Sequence, residues 1–250
     1  IDMNGNTWVP IGKGGAPFAG TFEGAGYSVS NFVVKAEECA GLFGRVFKKG
    51  AAASINNVKV HNATIEGSHW AGGVVAHIYG NVTNCEADNV TIVLTPNAVG
   101  SSYDNGDKVG GIAGFLHVGT ISNCSVENVN IKAYRDMGGI LGCSNKATVL
   151  TYNKVLSNVN IEVDNTQNYK NYKIQKDYNV GNHVGSYRNG APVADATNTG
   201  SVNIEWNGIM KNGAGFSAEA GGILGEGTQL HIHQTIGAAD AYRYRLGEGF

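Results

Sequence analysis

The chain has 250 residues, of which 18 are basic and 20 acidic, for a formal charge of −2. That leaves no basic field to hold a phosphate backbone, so nucleic acid is not an expected partner. Glycine, at 37 residues, is about twice its usual share, yet there is no G-X-Y period to make collagen. The 42% hydrophobic content excludes disorder, and no apolar run approaches the ~18 residues of a membrane-spanning helix.

The opening, Ile1-Asp2-Met3-Asn4-Gly5, carries neither a charged nor an apolar leader, as expected of a processed or excised segment. From Val29 onward the chain repeats. Four eleven-residue segments align without a gap: Ile55–Ile65, Val82–Ile92, Ile121–Ile131 and Thr151–Ile161. Asparagine fills the third place in each (Asn57, Asn84, Asn123, Asn153) and the eighth (Asn62, Asn89, Asn128, Asn158). A partial copy precedes them at Val29-Ser30-Asn31-Phe32, and another follows at Ser201-Val202-Asn203-Ile204. A glycine motif precedes each segment. It reads Ala40-Gly41-Leu42-Phe43-Gly44, Gly72-Gly73-Val74-Val75-Ala76, Gly110-Gly111-Ile112-Ala113-Gly114 and Gly138-Gly139-Ile140-Leu141-Gly142. A degenerate fifth copy is Gly181-Asn182-His183-Val184-Gly185, and a sixth is Gly221-Gly222-Ile223-Leu224-Gly225.

Between asparagines, apolar and polar residues alternate and Val, Ile and Thr abound, which is the pattern of strands. No segment of twelve residues shows a helical stripe. Short strands joined by Gly and Asn at a repeat near 27 residues predict an all-β chain, a parallel β-helix of about six coils forming a single domain. Asparagines at one place in successive coils are expected to hydrogen-bond as ladders. Cys85 and Cys124 follow the third-place asparagine in consecutive repeats and read as a stacked thiol pair, with a disulfide there allowed on distance. With no C-x-x-C among Cys39, Cys85, Cys124 and Cys143, zinc and thioredoxin-like chemistry are not expected.

Residues 8–44 carry Trp8-Val9-Pro10-Ile11-Gly12, then Pro17-Phe18-Ala19-Gly20-Thr21-Phe22-Glu23-Gly24, Tyr27-Ser28-Val29-Ser30-Asn31 and Ala40-Gly41-Leu42-Phe43-Gly44. This stretch resembles the opening of GLUG-motif proteins, and the later glycine motifs extend the resemblance over most of the chain. Glu23 stands where the family usually has aspartate, and the copy at 181–185 lacks its second glycine. The resemblance implies a right-handed solenoid in a secreted or cell-surface, adhesin-like bacterial protein, of a kind common in gut Bacteroidetes. It brings no catalytic residues, because the motif is a structural repeat.

Chemistry-bearing constellations are sparse. There is no H-E-x-x-H for a zinc peptidase and no G-x-S-x-G nucleophile elbow. His231 and His233 share one face of a predicted strand but have no third ligand nearby, so no metal and no cofactor are expected. A glycosidase or lyase needs carboxylates converging on one bond. Asp104 with Asp107, and Arg135 with Asp136, are close in sequence, but no carboxylate set recurs from repeat to repeat. The N-x-S/T triplets at Asn62, Asn81, Asn89 and Asn123 follow from the repeat itself.

Insertions remain as the place for function. Short connections run 66–71 and 132–137, whereas long ones run 93–109, 162–180 and 205–220, always at the same point of the repeat. Their aromatics, Tyr103, Tyr169, Tyr172, Tyr178, Trp206 and Phe216, are the candidate ligand-binding residues. Flat rings among Asn, Asp and Gly suit glycans or surface proteins, and equally serve to pin long loops to a wall. The expectation is a non-catalytic, ligand-binding surface module without direct membrane insertion. A structural stalk, an accessory domain of a larger secreted protein and a polysaccharide-degrading β-helix enzyme are the alternatives.

Overall fold

A computed structural model describes residues 1–47, 53–95, 106–145, 148–163, 177–181, 184–187, 193–194, 202–206, 209–212, 222–223 and 229–233. Every regular element among them is a β-strand, as the alternating pattern predicted. The strands form three sheets, and nearly all neighbours pair in parallel. The main strands of the first sheet, in spatial order, are Thr7–Trp8, Ser28–Ala36, Lys59–Gly67, Glu86–Leu94, Ser125–Ala133, Val159–Val163 and Val202–Trp206. The second stacks Cys39–Ala40, Trp70–Gly72, Asp107–Gly110, Arg135–Gly138 and Asp177–Gly181. The third includes Ala53–Asn56, Val75–Thr83, Ala113–Ser122, Leu141–Ser144 and Val184–Tyr187. The chain visits first, second and third sheet in turn, then begins again one strand along.

Register in the first sheet holds from Val29 to Ile131 without a shift. In the first sheet Val34, Ile65, Ile92, Ile131, Ile161 and Ile204 pair in succession. The first five of these are buried, and they stack an aliphatic column through the core. Their neighbours at alternate positions face out, so the column and the outer face both follow from the strand period of two.

The asparagines mark the bends. Asn31, Asn62, Asn89, Asn128 and Asn158 all have φ between 50° and 57°, as do Asn57, Asn84 and Asn123. This is the left-handed region that asparagine tolerates better than other non-glycine residues. Their amides form the expected ladders. Asn123 Nδ2 donates to Asn84 Oδ1 at 2.7 Å, and Asn84 Nδ2 to Asn57 Oδ1 at 2.9 Å. Asn57 Nδ2 in turn donates to Glu23 at 2.8 Å, so the carboxylate closes that ladder at its N-terminal end. In the second ladder Asn89 donates to Asn62 and Asn62 to Asn31, which donates to Asp2. That row breaks once, because Asn128 donates to Asp88 rather than to Asn89, and it resumes with Asn158 donating to Asn128.

Asn153 is not a rung. Thr151 pairs with Ser122 and Lys154 with Ser125, so Tyr152, at φ 56°, occupies the left-handed position opposite Asn123. Farther on, Asn160 pairs with Asn130, so one extra residue is taken up between Val155 and Val159. The gapless alignment of the fourth segment is therefore wrong by one residue over its first half. Asn153 turns inward, accepts from the Cys124 amide at 2.9 Å and donates to the Ile121 carbonyl at 2.8 Å.

The glycine motifs form the turn from second to third sheet. There the backbones of successive repeats bond directly: Gly73 N to Gly111 O, and Gly111 N to Gly139 O, each at 3.0 Å. A Cβ on Gly111 would lie 2.4 Å from the Gly139 oxygen, which is why a side chain is excluded. The degenerate fifth copy keeps register, with Gly181 on Gly138 and Val184 on Leu141. The sixth does not. Gln229–His233 takes the place beside Asp177–Gly181, and Gly222–Ile223 lies antiparallel beyond it.

The first, short repeat packs its aromatic residues onto the next one. Trp8 donates through Nε1 to the Leu42 carbonyl at 2.9 Å and packs on buried Phe32. Phe18 and Phe22 both pack on Phe43, which is fully buried. The tryptophan and phenylalanines of the opening motif thus cover core that would otherwise meet water.

Candidate functional site

The strand limits show where the insertions fall. Short connections leave the first sheet at Ala36, Gly67 and Ala133 and enter the second at Cys39, Trp70 and Arg135. The long ones leave at Leu94 and Val163 and enter at Asp107 and Asp177, which is the same transition. The third also leaves the first sheet, after Trp206, but part of it folds back. Ile209–Asn212 pairs antiparallel with Val202–Trp206, so this stretch is a terminal hairpin rather than an open loop.

Of the six candidate aromatics, Tyr103, Tyr169, Tyr172 and Phe216 lie outside the described residues. Tyr178 and Trp206 belong to strands, Tyr178 opposite Leu230 and Trp206 opposite Val163 and Ile209. These two are therefore not loop-tip residues.

Next to the same transition, the outer face of the first sheet carries a shallow groove of about 390 Å³. Its outward side chains are Thr91, Val93, Asn130, Lys132, Asn160 and Glu162. Asn203 donates to Asn160 at 2.9 Å and Asn160 to Asn130 at 2.8 Å, a third amide row, this one fully on the outer face. Lys132 and Glu162 form an ion pair at 2.7 Å along one side. A second depression of about 590 Å³, lined by Lys35, Glu37, Glu66 and Thr95 among others, meets the first at Val93. Together they cross the sheet from Lys35 to Asn203. In sequence the row is the tenth place of the repeat, asparagine in Asn130 and Asn160 and threonine in Thr64 and Thr91.

A second cluster lies between the second and third sheets and is buried. Asp107 Oδ2 accepts from Lys108 Nζ at 2.8 Å and from Arg135 at 2.7 Å, with all three residues at most 2% exposed. Lys108 also sits over the rings of Trp70 and Phe115. Sequence proximity paired Asp107 with Asp104 and Arg135 with Asp136, whereas the fold pairs Asp107 with Arg135 across 28 residues. His77 stacks on Phe115 with centroids 5.0 Å apart and packs edge-on against Trp70. Neither of its ring nitrogens has a hydrogen-bond partner among the described residues. Burial, with help from Arg45, His117 and Lys108, pushes its pKa down to about 3, so the ring is held neutral. Burial likewise pushes the Cys39 thiol up to about 12, reinforced by Glu38.

Among the described residues no three of His, Cys, Asp and Glu come together as a metal site, and no helix is long and apolar enough to cross a membrane. No family model, curated protein or solved structure matches the chain.

Proposed function

We propose that the chain is a non-catalytic, ligand-binding module of a secreted or cell-surface protein, built as a right-handed parallel β-helix of GLUG-type repeats. Three features support the architecture: the fixed rotation through three sheets, the in-register stacking of each repeat on the last, and the strong right-handed bias of parallel crossovers. The observation that carries the binding reading is the groove on the first sheet. It repeats amide, hydroxyl and charged groups once per strand and adjoins the transition where the long connections leave. Stacked amides at strand spacing offer donors and acceptors in a line, which suits a chain of sugar hydroxyls. The proposed ligand is accordingly a glycan.

A glycan array probed with the monodisperse chain tests this. Binding should be lost in an Asn130→Ala/Asn160→Ala variant and weakened in Tyr172→Ala/Trp206→Ala. Silence across the array, or binding untouched by both variants, overturns it. The unbroken aliphatic column also favours a second reading, a stiff spacer that sets the distance between other parts of a larger surface protein. On that reading, removal of residues 164–176 leaves every function of the parent protein intact.

A further inference from the structure

We propose that Cys85 and Cys124 are a latent disulfide, which oxidation closes to staple two adjacent repeats of the chain.

The two cysteines directly precede Glu86 and Ser125, which pair in parallel, so their backbones lie one strand spacing apart, roughly 4.8 Å. That is inside the Cα range of about 4.4–6.8 Å that disulfides accept. The Cys124 sulfur reaches across the gap toward the neighbouring repeat and lies 3.4 Å from the Cys85 amide nitrogen and 3.8 Å from the Val82 oxygen. The fold also limits the column to two thiols. One repeat earlier the place belongs to Val58, and one repeat later to Asn153, whose amide clamps the backbone of Cys124 from the far side. The register slip that removes Asn153 from its ladder is what closes the column. Cys39 and Cys143 lie on the second and third sheets, and all four cysteines are buried.

The pair is also chemically asymmetric. Interaction with the Cys124 side chain lowers the Cys85 thiol, while burial raises Cys124 itself. The Cys85 thiolate is thus the attacking group. With a low-molecular-weight disulfide as oxidant, Cys85 displaces one of its thiols and forms a mixed disulfide. Cys124 then attacks the Cys85 sulfur and displaces the second. Two protein thiols and one disulfide become one protein disulfide and two small thiols, so protons and electrons balance. Because both cysteines are only 1% exposed, closure proceeds during folding or on local opening of the sheet.

The test is to refold the reduced chain with oxidised glutathione, unfold it, block free thiols with iodoacetamide and map the peptides by mass spectrometry. A single Cys85–Cys124 linkage, with Cys39 and Cys143 both blocked, is the expected result, together with a Tm about 5–10 °C above the reduced form. A Cys85→Val variant, which copies Val58, should fold, leave its three cysteines blocked and lose the Tm difference. Blocking of all four cysteines, glutathione held on Cys85 without closure, or linkage to Cys39 or Cys143 would each overturn the proposal.

Discussion

The neutral, enclosed ring of His77 makes stability depend on pH in a way a single substitution can isolate. Among the described residues, the groups facing it are Arg45, Lys108, Trp70, Tyr79, Phe115 and His117, none of them a carboxylate. In the unfolded chain the ring takes a proton near its ordinary value of 6.5, whereas in the fold it does so only near 3. Between those values the unfolded state binds one more proton than the folded state, so acidification favours unfolding. The contribution is fully present above 6.5, is lost at about 1.4 kcal/mol per pH unit below it, and levels off near pH 3. Over that window the loss is on the order of 5 kcal/mol, and burial to 3% leaves solvent little part in screening it. His77→Phe keeps a flat ring against Phe115 and removes both unpartnered nitrogens. Urea unfolding of both proteins from pH 7.5 to pH 4 is the assay, read as the difference between their free energies at each pH, because shared titrations cancel. The difference should shift toward the variant by roughly 3 kcal/mol between pH 6.5 and pH 4. Parallel curves, or a wild type that gains on the variant in acid, would show that the ring is hydrated or paired and that the reasoning fails.

Asn153→Ala should lose roughly 2–4 kcal/mol in urea, because it strands the Cys124 amide and the Ile121 carbonyl away from water. At the exposed rung Asn84, glycine should be nearly neutral and alanine should lose about 1–2 kcal/mol, since the left-handed φ of 54° is what that position requires. Gly119→Ala places a Cβ 1.9 Å from the Gly80 oxygen at a φ of 127° and should destabilise by about 3 kcal/mol or abolish soluble expression. Trp8→Ala uncovers Phe32 at the end of the first sheet. It should lose about 2–3 kcal/mol and produce end-to-end association detectable by light scattering.

What could be read directly from the residues was whatever repeats locally. Alternation gave the strands, and recurring Asn and Gly gave the bends and the tight transition, because each answers to the conformation of its own few residues. The slip at Tyr152 was hidden because two asparagines thirty residues apart match by letter whichever neighbour actually takes the left-handed turn. The Asp107–Arg135–Lys108 cluster was hidden for a different reason. Its members meet only when repeats stack, and a connection of unusual length separates Asp107 from the preceding repeat. The outer amide row lay in plain view, yet asparagine that faces solvent in a strand reads as an ordinary polar residue until the register lines it up with its neighbours. The sixth glycine motif shows the opposite failure: a faithful copy of the letters takes a place no earlier copy has, beyond Gln229–His233.

Uniform register in the first sheet has a genetic consequence. Because equivalent residues of Lys59–Gly67, Glu86–Leu94 and Ser125–Ala133 sit directly above one another, excising one whole repeat rejoins strand ends that already face compatible neighbours. Loss or gain of a full unit by unequal recombination should therefore yield a shorter or longer protein that still folds. A deletion of half a unit would turn core side chains outward and be removed by selection. Length, in such a chain, can drift in steps of one repeat.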